Sequence, residues 1–556
     1  MKRKFVLPSL ALLALAALPA PALAQRAAVM KKPEVGRAAK HDVSKPLREI
    51  MPAAPVKRNR VENPMNFMAK SREPQADPIV QANVSPNVPV TGGLNFEGVG
   101  DGAYGFDVLF SPPDTTGDVG DTQYVQWINT EFAVFRKSDG LLLYGPAPGN
   151  TIWAGFGGAC ETSNDGDPIV QYDQFASRWI MTQFAVPGGA AGYWQCVAVS
   201  QTSDATGAYN RYAFQYNQFP DFPKLSVWPD AYYITFNMFT NFFAGARLCA
   251  YDRAKMLAGL PATQQCFQLS TSFGSVLPAD VDGPLPPAGS PNYMLTDGSN
   301  SLLLWKFSVN WVTPASTTLT GPTSIPVAAF SHPCPTTSRG ACVPQPGTTQ
   351  KLESLADRLQ YRLAYRNFGT HESLVVTQPV NVGTNKKNAR TGIRWYELRN
   401  PNGAVTVHQQ STYAPGTADW RWMSSAAMDK QGNLAIGYSI SNATSLRPTI
   451  RFAGRAFNDP LNTLSSETNL HTGTGVQTQG LARWGDYSTL SVDPVDDCTM
   501  WYTNEYLATN GTWNWHTRIA SFKLGTCRLP PTATTVATAS AQRQDDECHE
   551  QHQPNG

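Results

Sequence analysis

Between residues 92 and 527 the chain alternates short apolar or aromatic runs with turn residues, and helical periodicity is almost absent. An opening segment with polar residues, an apolar strand, a tight turn and a second aromatic-rich strand recur along it. The copies begin at Asp114, Asp165, Asp221, Asp280, Thr370, Trp420 and Trp484, with a weaker match at Asp280. Several are followed by further strand-like runs, such as Val197 to Gln201 and Thr517 to Lys523. About seven copies at a spacing of roughly 50 residues, each able to supply four strands, predict an all-β fold: a β-propeller, seven-bladed. A pair of β-sandwiches is the alternative, disfavoured because its strands would not group in fours. The segment from Leu94 could lend an outer strand to the last blade, and the loop around Cys334 and Cys342 reads as an insertion between blades.

The ends of the chain read differently. Residues 1–24 combine Lys2, Arg3 and Lys4, an apolar run to Leu18 and the small-residue signature Ala22-Leu23-Ala24, the pattern of a secretory signal peptide. No other segment reaches the roughly 18 apolar residues of a membrane span. Residues 25–91, rich in Pro, Ala and basic residues, predict a disordered linker or pro-segment, and residues 528–556 a disordered tail. The expected compartment is therefore secreted or periplasmic, and the expected state a monomer.

Charge changes the picture of partners. The total is +2, but residues 26–60 hold ten Lys/Arg against three Asp/Glu; without them and the signal-peptide charges the remainder is −8. A mildly acidic globular part does not fit a nucleic-acid binder. Of nine cysteines, eight form neighbouring pairs that predict disulfides: Cys160 with Cys196, Cys249 with Cys266, Cys334 with Cys342, and Cys498 with Cys527. Cys548 is left over, and no C-x-x-C spacing supports a zinc site.

The residues just before the first strand of each copy should surround one mouth of the propeller channel. That set includes Asp114, Asp118, Asp165, Asp167, Asp221, Asp280, Asp282, His371, Glu372, Asp419, Arg421, Arg483 and Asp486, with Trp420, Trp422 and Trp484 among them. For any single member the plainer reading is a bond to a neighbouring backbone amide; the ring as a whole is site-like, because crowded carboxylates must be paired, protonated or metal-bound. A glycoside hydrolase or polysaccharide lyase would use two carboxylates at a catalytic separation, for which Asp167, Glu372 and Asp486 are the candidates. His371, Arg421, Trp422, Arg483 and Trp484 would then bind substrate. A structural calcium is the other chemistry, with Asp114, Asp118 and Asp165 as oxygen ligands. The third option is a non-enzymatic cell-surface or matrix adhesin whose mouth only binds polysaccharide or another surface ligand. The charged turns at Asp173 and Asp429 read as hairpin chemistry. Neither an H-E-x-x-H nor a G-x-S-x-G motif is present.

Five stretches carry a family resemblance: PPDTTGDVGDTQYVQWINTEFAVF from Pro112, NDGDPIVQYDQFASRWIMTQF from Asn164, FPKLSVWPDAYYITFN from Phe222, LAYRNFGTHESLVV from Leu363, and RWGDYSTLSVDPVDDCTMWYTNEY from Arg483. Together they resemble a family of large secreted bacterial proteins, hypothetical exported proteins with a propeller-like core. The resemblance implies export and the propeller, and brings neither an activity nor catalytic residues.

Overall fold

Seven times along the chain, a first strand is followed by further antiparallel strands, the inner ones largely buried. The computed structural model describes residues 29–52, 60–61 and 76–527, apart from residues 87, 188–190, 335–336, 338–339, 386–388 and 526. The first strands are Thr116–Val119, Ile169–Asp173, Phe219–Val227, Leu277–Asp282, Gln360–Asn367, Trp420–Met428 and Thr489–Val492. Each opens a four-stranded antiparallel unit; in the seventh, the fourth strand is Val90–Glu97, which pairs with Trp515–Leu524 from the far end of the chain. The first strand of every unit lies beside that of the next, and Thr489–Val492 lies beside Thr116–Val119 again. Between the fourth and fifth units this contact is a parallel hydrogen-bonded ladder, Ala279 opposite Leu363 through Asp282 opposite Arg366. The arrangement is all-β and propeller-like.

Composition explains why the strands take these positions. The second strand of the third unit, Tyr232–Phe239, is buried throughout, so it carries aromatic and branched residues with almost no alternation. Turn residues set the connections: the Asp429 carboxylate accepts from the backbone N–H of Gln431 (2.9 Å) and Asn433 (3.0 Å). Asp173 does the same for Phe175 and Ala176, but it is also fully buried and holds Arg253 at 2.6 Å. All four predicted disulfides are present, which fits an oxidising compartment. Among the described residues no helix is long and apolar enough to cross a membrane. The predicted signal peptide, the tail and Cys548 lie outside the described residues.

Where it is described, the segment expected as a disordered linker forms a belt. Val29–Lys31 extends the fourth unit, Glu34–Arg37 the third and Lys40–Val43 the second, each as a fifth strand antiparallel to the outermost one. Leu47 is then buried in the core shared by the first two units. After the undescribed stretch, the chain continues along the other three. Asp77 receives Arg394 (2.8 Å) and Thr412 (2.7 Å) of the fifth unit, Ser85 N–H donates to Leu464 O (2.9 Å) in the sixth, and Val90–Glu97 completes the seventh. Outer strands present unpaired N–H and C=O groups, and the belt satisfies them by main-chain pairing. Because it docks through its backbone, with most side chains exposed, it shows no apolar pattern in the sequence.

Candidate functional site

A left-handed turn recurs where the chain enters successive units. Asp114, Asp167, Phe222, Ser275 and Met423 all have φ between 41° and 56°, although none is glycine. Such residues cost free energy that the surroundings must offset. At the first two units and at the seventh, the result is a convergence of carboxylates. One oxygen each of Asp114, Asp167 and Asp486 lies within 4.8 Å of the others. The three residues are 0%, 5% and 2% exposed, so the cluster is sealed from solvent.

The Asp114 and Asp167 carboxylates also tie units together. Asp486 N–H donates to Asp114 Oδ1 (2.7 Å), Asn129 Nδ2 donates to Asp114 Oδ2 (3.2 Å), and Phe222 N–H donates to Asp167 Oδ2 (3.2 Å). Arg483 spans the cluster's edge, with Nη2 2.6 Å from Asp486 Oδ1 and Nη1 3.0 Å from Glu353 Oε2. Burial, then repulsion from Asp486, pushes the Asp114 carboxyl well above the usual range and that of Asp167 to about 6. Glu505, on the second strand of the seventh unit, is raised too, first by burial and then by Asp114.

Lys224 completes the cluster and was not anticipated. Its ammonium is buried, donates to Pro223 O (2.8 Å) and sits 3.5 Å from the Phe222 ring centroid and 4.3 Å from that of Tyr487. Burial lowers it to about 8, against the opposing pull of Asp167, Asp486 and Asp114. A lysine between Pro223 and Leu225 inside a strand buried almost throughout was the available signal. The same clustering of shifted acids and a shifted lysine is what acid–base chemistry requires, though structural ion networks produce it as well.

The insertion carrying Cys334 and Cys342 forms the lid of this cluster. Its short strands Ala341–Val343 and Leu352–Glu353 pair with each other. Val343, Leu352 and Leu355 share a buried apolar cluster with Phe222, Trp422, Met423 and Trp484. Gln345 and Gln477 exchange side-chain and backbone hydrogen bonds at 3.0 and 2.7 Å, and Glu353 N–H donates to Ala482 O. The insertion is thereby sewn to the segment that leads into the seventh unit.

The remaining expected site residues are elsewhere. Asp118, Asp280 and Asp282 stand at the opposite ends of their strands, around a cavity of about 20 Å³ with Arg362, room for about one water. There Arg362 grips Asp282 at 2.7 and 2.8 Å and Asp280 at 3.1 Å. Asp118 accepts from Tyr172 N–H (2.7 Å). Asp165 accepts from Val186 N–H (2.6 Å) instead of joining Asp114 and Asp118 in a ligand set. Glu372 opens the second strand of the fifth unit, not the first, and accepts from Tyr365 Oη (2.6 Å); the His371 ring stacks on Phe368. Trp422 and Trp484 are wholly buried with their rings edge to face at 5.6 Å, so they are core and offer no surface for a sugar. Arg421 pairs with Glu467 (2.7 Å) in the sixth unit, away from the carboxylates. Of the expected residues, Asp114, Asp167, Arg483 and Asp486 are brought together.

Fold and site together define a propeller-like all-β chain with a buried charged cluster where its first strands meet. No family model and no curated protein matches it. Among solved structures, the WD40 domain of SCAP from fission yeast is 8% identical with a TM-score of 0.30, over 73% of this chain and 82% of that one. An exo-β-1,3-galactanase from Phanerochaete chrysosporium is 14% identical at a TM-score of 0.28, over 64% and 80% of the two chains. A GH43 endo-arabinanase from Bacillus licheniformis is 10% identical at 0.27, over 64% and 96%. Likeness at this level carries no argument about this chain's chemistry.

Proposed function

We propose that the protein is an exported seven-bladed β-propeller, each unit a blade, that binds or cleaves extracellular polysaccharide at the cluster of Asp114, Asp167 and Asp486. The observation that carries the reading is their convergence within 4.8 Å. An ion-paired carboxylate, Asp486, stands beside acids that burial keeps protonated to higher pH, Asp114 and Asp167. A glycosidase divides its work between two such groups, about 5 Å apart when configuration is retained. Arg483 and Lys224 would steady the charge, and the Cys334–Cys342 insertion would have to lift for a chain to enter. Plant and bacterial polysaccharides incubated with the purified protein should yield reducing ends or unsaturated products, and Asp167→Asn should reduce turnover by roughly 10²-fold or more. No turnover on a broad panel removes the catalytic reading. Retention in polysaccharide affinity gels without turnover would leave the adhesin, which the sealed state of the carboxylates favours.

A hard cation is the second reading, with Asp114, Asp167 and Asp486 as its ligands in place of Asp114, Asp118 and Asp165. Calcium takes carboxylate oxygens at about 2.4 Å, so three oxygens within 4.8 Å of one another fit one ion. An ion there would relieve the repulsion that lifts Asp114 and Asp167. On this reading chelator lowers the melting temperature and added calcium restores it; superimposable melting curves would dismiss it.

A further inference from the structure

Arg421, expected at the channel mouth, instead lines a cleft of about 500 Å³ at the edge of the fifth and sixth units, together with Tyr413, Asp419, Arg451, Glu467 and Asn469. The volume is within the usual range of small-molecule sites. Its electrostatics are unbalanced. Glu467 is shared by two guanidinium groups, accepting from Arg421 Nε at Oε1 and from Arg451 Nη1 at Oε2, both at 2.7 Å. A third cation, Arg390, reaches the same spot, its Nη1 3.0 Å from Asp419 O, while Arg421 Nη1 lies 3.4 Å from that oxygen. Among the described residues two carboxylates, Asp419 and Glu467, stand against these three cations, and the nearest Arg421–Asp419 charge contact is 3.9 Å. Burial and the neighbouring Arg421 depress the Arg390 guanidinium, the mark of cations crowded together.

Donors are left over as well. Among the described residues the Arg451 side chain makes one hydrogen bond, to Glu467, and its Nε is buried without a partner, while the side chain is 25% exposed. Arg421 is almost wholly buried (1%), rigidly held and always charged. A partly exposed guanidinium backed by a buried one, at the wall of a roomy cleft where the described cations outnumber the described carboxylates, is a receptor for a planar anion.

We infer that the cleft at Arg451 and Asp419 binds a carboxylate-bearing ligand, whose acid group pairs with the partly exposed Arg451 guanidinium, with buried Arg421 adding charge behind it, while its hydroxyls reach Asp419 and Asn469. The ligand is a uronic acid unit of a polysaccharide. That choice of sugar acid rests on the carbohydrate reading above, whereas the carboxylate site stands without it. A second site at the edge of the fifth and sixth units would hold an acidic chain while the axial cluster worked on it.

The experiment is calorimetric titration of the full chain with digalacturonate, its neutral analogue galactobiose, and succinate. Digalacturonate should bind, weaken severalfold between 50 and 300 mM salt, and exceed galactobiose by at least tenfold. Arg451→Met should cost at least tenfold, Arg451→Lys less, and Asn469→Asp severalfold. Asn469 is exposed and outside the ion-pair network, so that variant tests the charge without endangering the fold. Arg451→Met should weaken digalacturonate binding while turnover of a neutral polysaccharide persists, which separates the failure of one site from that of the other. Succinate binding as tightly as digalacturonate keeps the carboxylate site and assigns it to free organic acids. No binding of either acid, equal binding of galactobiose, or an unaffected Arg451→Met overturns the site.

Discussion

Replacing Arg483 by methionine is expected to destabilise the chain by about 3–5 kcal/mol, the range for removing one partner of a buried ion pair. The guanidinium is 2% exposed, as is Asp486, and Glu353 is 3% exposed. Taking the cation away leaves two buried carboxylates facing Asp114, Asp167 and Glu505, which are already raised by burial and mutual repulsion. It also cuts one of the ties between the Cys334–Cys342 insertion and the seventh unit. In urea the midpoint should fall with the slope unchanged, and the deficit should shrink as pH drops, because protons then neutralise the orphaned acids. An unchanged midpoint would mean that the cluster does not depend on this cation. The exposed pair Arg136–Asp139 is the control: its 2.5 Å contact is solvated on both sides, and its loss should not register.

How far the sequence disclosed this arrangement depends on what each segment buries. The recurring strands were legible because their aromatic runs and polar turns repeat, and the cysteine pairs because neighbours close short loops. The unit boundaries around Asp280 and Glu372 were not: Asp280 lies near the end of its first strand, and Glu372 begins a second strand. The insertion ahead of the fifth unit displaced the apparent period at Glu372. That shift sent Glu372 to the channel mouth on paper and to a tyrosine hydroxyl in the fold. The belt from Val29 to Val43 was invisible because a backbone-paired fifth strand needs no apolar face. At the site, Asp114, Asp167, Arg483 and Asp486 could be found from their place in the repeat. Lys224, Glu353 and Glu505 could not, since they come from inside a first strand, from the insertion and from a second strand. The tryptophans misled for a general reason: next to charged residues an aromatic suggests sugar stacking, yet Trp422 and Trp484 fill the core behind them.

Glu131 offers the second large effect, and its sign can be worked out. It lies at 2% exposure at the start of the third strand of the first unit, Oε1 has no hydrogen-bond partner, and Oε2 accepts from Thr130 Oγ1 at 2.5 Å. Burial pushes its carboxyl up to about 8. The unfolded chain releases this proton near the ordinary value, so the folded state holds the extra proton through the interval between the two. Stability from this group is complete below about pH 4 and is lost progressively until pH passes 8. Asp280, raised to about 7, and Asp118 and Asp167, raised to about 6, act in the same direction. Lys224, lowered to about 8, acts oppositely at higher pH: folding there releases a proton, so its penalty fades as pH rises from 8 towards its unfolded value. Glu131→Gln keeps the shape and the contact with Thr130 and removes one titration. The variant and the parent should therefore melt alike at pH 5 and diverge at pH 8.5, with the variant more stable by about 2–4 kcal/mol at roughly 1.4 kcal/mol per pKa unit. Because the other acids titrate in both proteins, the difference between the two stability curves isolates Glu131. A difference that stays constant across pH would show that this carboxyl is neutralised by something other than burial.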